Sequence, residues 1–234
     1  MRVSGWVRGS AACALAAAIA CGAFAATDPG KAEAPRMEFV PPAAGSYVLQ
    51  RIQRAPEAVL LDPASRPRNL STYTTGKITL LTFFYTYCVD PWGCPFAYAT
   101  LTGLRDRVLA EPQLASKVRF VNVSFDPTND TPDAIGQYGE RFLNDARFEW
   151  RFLTARSVPE LLPVLDGFGQ DVSVERDSSG RPSRTLHHML KMFLIDRQGT
   201  VREIYSLAYL QQQVMLNDIK TLALEDRVGV AAAR

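Results

Sequence analysis

Thiol and imidazole ligands are scarce in this chain of 234 residues: four cysteines and two histidines in all. Cys13 and Cys21 lie in an N-terminal stretch with the marks of an export signal, so the remainder keeps Cys88, Cys94, His187 and His188. An excess of one charge sign is also missing. The 26 lysines and arginines include Arg2 and Arg8 of the leader, which leaves 24 basic side chains against 24 acidic ones. A neutral mature chain gives no electrostatic reason to expect nucleic acid or an anionic membrane as partner. There is no internal repeat. The uncharged stretch near the N-terminus falls short of the roughly 20 residues of a spanning helix and is rich in alanine rather than leucine. What is present, 47% apolar and 21% charged residues, suits a globular domain with a real core.

Arg2 and Arg8 form a positive leader end, Ala11–Ala20 a short apolar segment, and Ala23-Phe24-Ala25 an A-x-A cleavage site. Residues 1–25 are therefore expected to be a signal peptide, with an N-terminal anchor as the alternative. Residues 26–45, rich in Ala, Pro and charge, read as a flexible tether. A single domain is expected over 46–230. Export carries Cys88 and Cys94 into an oxidising compartment. There they form a disulfide, are kept reduced by a partner, or bind a metal.

From about Thr75 the elements alternate. Ile78–Tyr85 (ITLLTFFY) and Val118–Phe125 (VRFVNVSF) are apolar runs suited to strands buried on both faces. Pro95–Leu109 reads as a helix with proline in its first turn and Leu101, Leu104 and Val108 on one face. Thr131-Pro132-Asp133 opens a second helix running to about Phe142. Trp150–Leu153 is a short strand, and Ser157 with Glu160 caps a helix ending near Gly167. Met189–Ile195 and Val201–Leu207 form a hairpin across the turn Asp196-Arg197-Gln198-Gly199, and Gln211–Asp226 closes as an amphipathic helix. The order is that of an α/β thioredoxin-like fold with a central mixed sheet flanked by helices. In that fold the loop after the first core strand leads into a helix. Here the loop carries both cysteines.

Cys94 precedes Pro95, which predicts an N-cap position beside unpaired N–H groups and the positive end of the helix dipole. Both lower a thiol pKa. A purely structural disulfide across so short a loop would stabilise by only about 2 kcal/mol, so Cys88 and Cys94 read as a functional redox or metal pair. His188 directly precedes a late strand, at the turn that faces the cysteine loop in this fold. It is the expected third ligand, with His187 as the spare. Two thiolates and one imidazole form a soft, low-coordinate set suited to Cu(I), and the imidazole also accommodates Cu(II). A structural zinc site takes a fourth protein ligand. Asp90 is expected to be a loop residue, and Met189 and Met192 core residues. Asp126-Pro127 reads as a strand-end turn near the site, and Tyr85, Tyr87 and Trp92 as its walls.

These motifs resemble the Sco (SenC) family of copper chaperones. The family's C-x-x-x-C-P motif matches Cys88 and Cys94-Pro95, and its D-P-x-x-D-T-P-like segment matches Asp126 to Pro132. Its late histidine matches His188, ahead of the turn Asp196–Gly199. The likeness runs from about Gly45 to the C-terminal helix. This chain has five residues between its cysteines, where the family usually has three. His187 stands where the family often has aspartate.

The resemblance implies an exported copper-binding protein, periplasmic or anchored to the inner membrane. It would deliver copper to, or keep reduced the thiols of, the dinuclear copper site of a cytochrome oxidase subunit. Cys88, Cys94 and His188 would be the ligands, and disulfide formation would release the metal. A thiol reductant protein is the expected second partner. The alternatives are a periplasmic thiol–disulfide oxidoreductase acting on another exported cysteine-containing client, and a redox or copper sensor.

Overall fold

The structure, a computed structural model, describes residues 37–232. The expected signal peptide and the first part of the expected tether lie outside the described residues. The end of the tether does not hang free. The Pro42 carbonyl accepts from Asn217 Nδ2 (2.7 Å) and the Gly45 N–H donates to Thr221 Oγ1 (2.9 Å). Just beyond, Tyr47 donates to Asp218 Oδ1 (2.5 Å). This strap thus lies along the last helix.

Six strands make the main sheet: β1 (Gln53–Arg54), β4 (Ile78–Phe84), β5 (Val118–Ser124), β6 (Glu149–Leu153), β9 (Lys191–Ile195) and β10 (Thr200–Ser206). Their order is β1-β10-β9-β4-β5-β6, with β4, β5 and β6 parallel and the other pairings antiparallel. Every residue of β4 and β5 is buried, so both are largely apolar, and the polar Arg119, Asn122 and Ser124 of β5 are buried with hydrogen-bond partners. β2 (Val59–Leu61) and β3 (Pro67–Asn69) pair with each other, and Leu61 bridges to Thr154 beyond β6. The helices are α1 (Ser71–Thr74), α2 (Cys94–Leu109), α3 (Pro112–Ala115), α4 (Pro132–Leu143), α5 (Val158–Phe168) and α6 (Gln212–Ala232). α2 and α6 pack on each other, α6 reaches β4, and α4 covers β6. Two helix starts obey the sequence: Thr131 accepts from the Ala134 N–H and Ser157 from the Glu160 N–H.

Neither the β2–β3 pair nor one later hairpin was expected. β7 (Val172–Arg176) and β8 (Pro182–His188) form a separate antiparallel pair between α5 and β9. His188 therefore ends a strand instead of leading into one, and β9 begins at Lys191 instead of Met189. The stretch is polar and mostly exposed, so its apolar pattern carries no strand signal. Its turn, Asp177 to Gly180, was nevertheless written in the sequence.

Candidate functional site

β4 delivers the chain to the loop that holds both cysteines. The Cys88 N–H donates to the Tyr85 carbonyl (3.3 Å) and the Gly93 N–H to the Asp90 carbonyl (3.0 Å). Asp90 Oδ1 also accepts from the Trp92 N–H (3.0 Å), so Asp90 shapes the loop. These bonds curl the five-residue spacer and bring Cys88 back over the start of α2. The approach is close: a Cβ on Gly93 would sit 3.2 Å from Cys88 Sγ. Glycine is what leaves room for the sulfur.

The geometry shifts Cys94 by one place from the expected N-cap. Gly93 is the N-cap of α2, and Cys94 is its first residue, ahead of Pro95. The Cys94 thiol, the Tyr85 hydroxyl and the N–H groups of Cys94 and Asp90 gather about the Cys88 sulfur and favour its thiolate. Four donors outweigh the cost of partial burial and bring the Cys88 pKa down to about 5. Cys94 is held far above its ordinary value, first by its hydrogen bond to Cys88 and then by burial. A second negative charge beside the first is unfavourable in a buried site, so the pair loses one proton easily and the other with difficulty. Cys88, the less buried of the two, is the thiol that the site favours as thiolate. Both cysteines are free, Cys88 half-buried and Cys94 only 3% exposed.

The segment from Asp126 to Pro132 braces the residues just before Cys88. Asp130 is fully buried and accepts from Ser124 Oγ (2.6 Å), Thr86 Oγ1 (2.6 Å) and the Thr86 N–H (3.1 Å). Burial raises its pKa, with these bonds opposing. Asp126 accepts from the Tyr87 hydroxyl and from Asn129 Nδ2 (2.7 Å). The two carboxylates thus pin Thr86 and Tyr87. Sequence reading placed this segment near the site without seeing this role.

His188 stands on the other wall. Its ring lies 4.5 Å from that of Phe125 and 6.3 Å from that of Tyr85. Burial lowers its pKa, so the imidazole is neutral at pH 7, the form that binds metals. Tyr85 links the walls, because its ring meets that of His188 as well as those of Tyr87 and Phe125. His187 is exposed, 3.7 Å from Glu175. Cys88, Asp90, Trp92, Glu175, His187, His188 and Met189 share the lining of one cleft of about 420 Å³. Cys94 lies behind it.

The structure therefore joins the two sulfurs and sets His188 across the same cleft. Among the described residues, no group of three or more His, Cys, Asp or Glu side chains stands arranged around a metal position. The chemistry of the donors fits copper nonetheless: one readily ionised thiol, a second in contact with it, and a neutral imidazole. Two residues escaped sequence reading. Tyr85, expected as a wall, also favours the Cys88 thiolate through its hydroxyl. Gln170, 3% exposed, donates to the Met189 carbonyl (3.0 Å) and fixes the turn after His188. No sequence motif marks Gln170.

A parallel β4–β5–β6 core, an antiparallel β9–β10 hairpin and a cysteine pair where β4 meets α2 define a thioredoxin-like protein. The SCO1/SenC family model matches residues 59–224, and the chain belongs to that family. Bradyrhizobium japonicum ScoI, solved with copper bound, is similar at 23% identity and a TM-score of 0.57, over 71% of this chain and 98% of that one. Apo Sco1 from Thermus thermophilus is similar at 21% identity and a TM-score of 0.61, over 74% and 94%. BsSco, described with a disulfide switch as a member of the Sco family of cytochrome c oxidase assembly proteins, is similar at 21% identity and a TM-score of 0.57, over 74% and 94%. At these identities the likeness speaks for the fold. No curated protein matches the chain in sequence.

Proposed function

We propose that this protein is an exported copper chaperone that holds copper through Cys88, Cys94 and His188. It would deliver the metal to the dinuclear copper site of a cytochrome oxidase subunit, or keep that site's thiols reduced. The observation that carries the reading is the Cys88–Cys94 contact, with Cys88 poised as thiolate and a neutral His188 across the cleft. Family membership supports it, as do a copper-bound relative and one named for oxidase assembly. Soft thiolates suit Cu(I), and the imidazole lets Cu(II) bind as well. Exchange with a partner disulfide would join the two sulfurs, pass two electrons to the partner as two thiols, and remove both thiolates from the metal.

Anaerobic Cu(I) titration of the reduced protein against a competing chelator tests this. Tight one-to-one binding is expected, lost in Cys88→Ser and weakened in His188→Ala. Equal binding by wild type and Cys88→Ser would overturn the ligand assignment. A thiol–disulfide oxidoreductase is the second reading, favoured by one observation: an ionised, accessible Cys88 backed by a buried Cys94, the arrangement of an attacking and a resolving thiol. Turnover in an insulin-reduction assay without copper binding would put it first.

A further inference from the structure

We propose that Met189 is the transfer ligand of this site, the donor through which Cu(I) enters and leaves. The inference rests on the copper reading above. Among the described methionines, Met192 and Met215 are fully buried and Met37 is half-buried, whereas Met189 is 62% exposed. An exposed thioether immediately after a ligand histidine is poorly explained by packing. It lines the cleft that Cys88 and His188 line. Its main chain is held in place by Gln170 (3.0 Å) while most of its side chain is open to solvent.

Access decides the route. Cys94 is buried behind the cleft and outside its lining. An incoming ligand therefore meets the metal from the side of Cys88, His188 and Met189. A thioether is a soft, neutral, weak donor suited to Cu(I). It can bind the ion as one thiolate lets go, and then yield it to the acceptor. The copper stays Cu(I) throughout and no electron moves. The released thiolate remains ionised or takes a proton from water. Entry is the same sequence in reverse. A ligand that serves only the exchange changes the rates in both directions and leaves the equilibrium alone.

The test uses the reduced full chain, Cu(I) supplied as its acetonitrile complex, and a chromophoric chelator. Wild type, Met189→Leu and Cys88→Ser are compared for equilibrium affinity and for the rates of uptake and removal by stopped flow. Leucine matches methionine in volume, and the position is exposed, so folding is preserved. Met189→Leu is expected to keep wild-type affinity while both rates fall by about tenfold, equivalent to ~1.4 kcal/mol on the barrier. Unchanged rates at wild-type affinity would overturn the proposal and leave the copper reading standing. A loss of affinity would overturn it too, by making Met189 a resident ligand. Equal binding by wild type and Cys88→Ser would remove the copper reading and this proposal with it.

Discussion

The β9–β10 and β7–β8 hairpins are turned by the same chemistry. In the first, Asp196 Oδ1 accepts from the N–H groups of Gln198 and Thr200 (3.0 and 2.9 Å), and Gly199 takes φ 80°. In the second, Asp177 Oδ1 accepts from Ser179 and Arg181 (2.9 and 3.0 Å), and Gly180 takes φ 80°. Their surroundings differ. Met192, Phe193, Leu194 and Ile195 of β9 are fully buried between β4 and β10. Among the described side chains of β7 and β8 half are exposed and none is buried, and Val172, opposite His188 in the register, packs against the core. The first hairpin belongs to the frame. The second is a flap whose inner end carries His188 to the cysteines. The same local code builds a strut or an arm according to what covers it.

Three measurements would break or sharpen this contrast. The largest effect is expected from the strands. Phe193→Ala empties a site in the frame and should cost about 3–5 kcal/mol in denaturant unfolding, whereas Val174→Ala on the half-exposed flap should stay within about 0.5 kcal/mol. Comparable losses would mean that the flap is part of the core. Next come the turns. Forcing a side chain into the left-handed region costs about 1–2 kcal/mol at either glycine. Gly199→Ala should cost more than Gly180→Ala, because its Cβ would also meet Thr75 Cγ2 at 3.1 Å while Gly180 faces open space. Amide exchange should register Gly180→Ala within 172–188 alone.

The smallest effect is read by pH. Alkylation of Cys88 should titrate near pH 5. An unfolded thiol titrates near 8.5, so the folded value is depressed. The stability that the Cys88 thiolate contributes is then fully present above about pH 8.5 and is lost as pH falls through 5. Acidification across that window should destabilise the reduced wild type more than Cys88→Ser. Gly180→Ala should leave the alkylation midpoint in place, since the donors to Cys88 sit on the frame side. Tyr85→Phe should raise it. A midpoint shifted by Gly180→Ala would place the flap among the determinants of Cys88.

Much of the frame was legible. ITLLTFFY and VRFVNVSF announced β4 and β5 because strands buried on both faces read as β-rich, largely apolar runs without a polar face. Thr131 and Ser157 announced helix starts because a hydroxyl there satisfies an orphan N–H. The β7–β8 flap was not legible, since exposed strands need no apolar alternation, and only the turn Asp177 to Gly180 hinted at it. The site was legible as a list of residues and less so as chemistry. Cys94 holds the helix-terminal place in sequence, yet the curled spacer lays Cys88 over that terminus. Met189 looked like the first residue of a buried strand until the strand began two residues later.

By itself the sequence determined the α/β order, the loop that carries both cysteines, and the small set of donors available. These depend on composition and local periodicity, which act over a few residues. Only the tertiary structure decided which sulfur ionises, which histidine faces it, and that a methionine stands exposed beside them. Those outcomes depend on burial and on groups brought together from Tyr85, the cysteine loop and the start of α2, with His188 from β8, and burial is set by the whole fold.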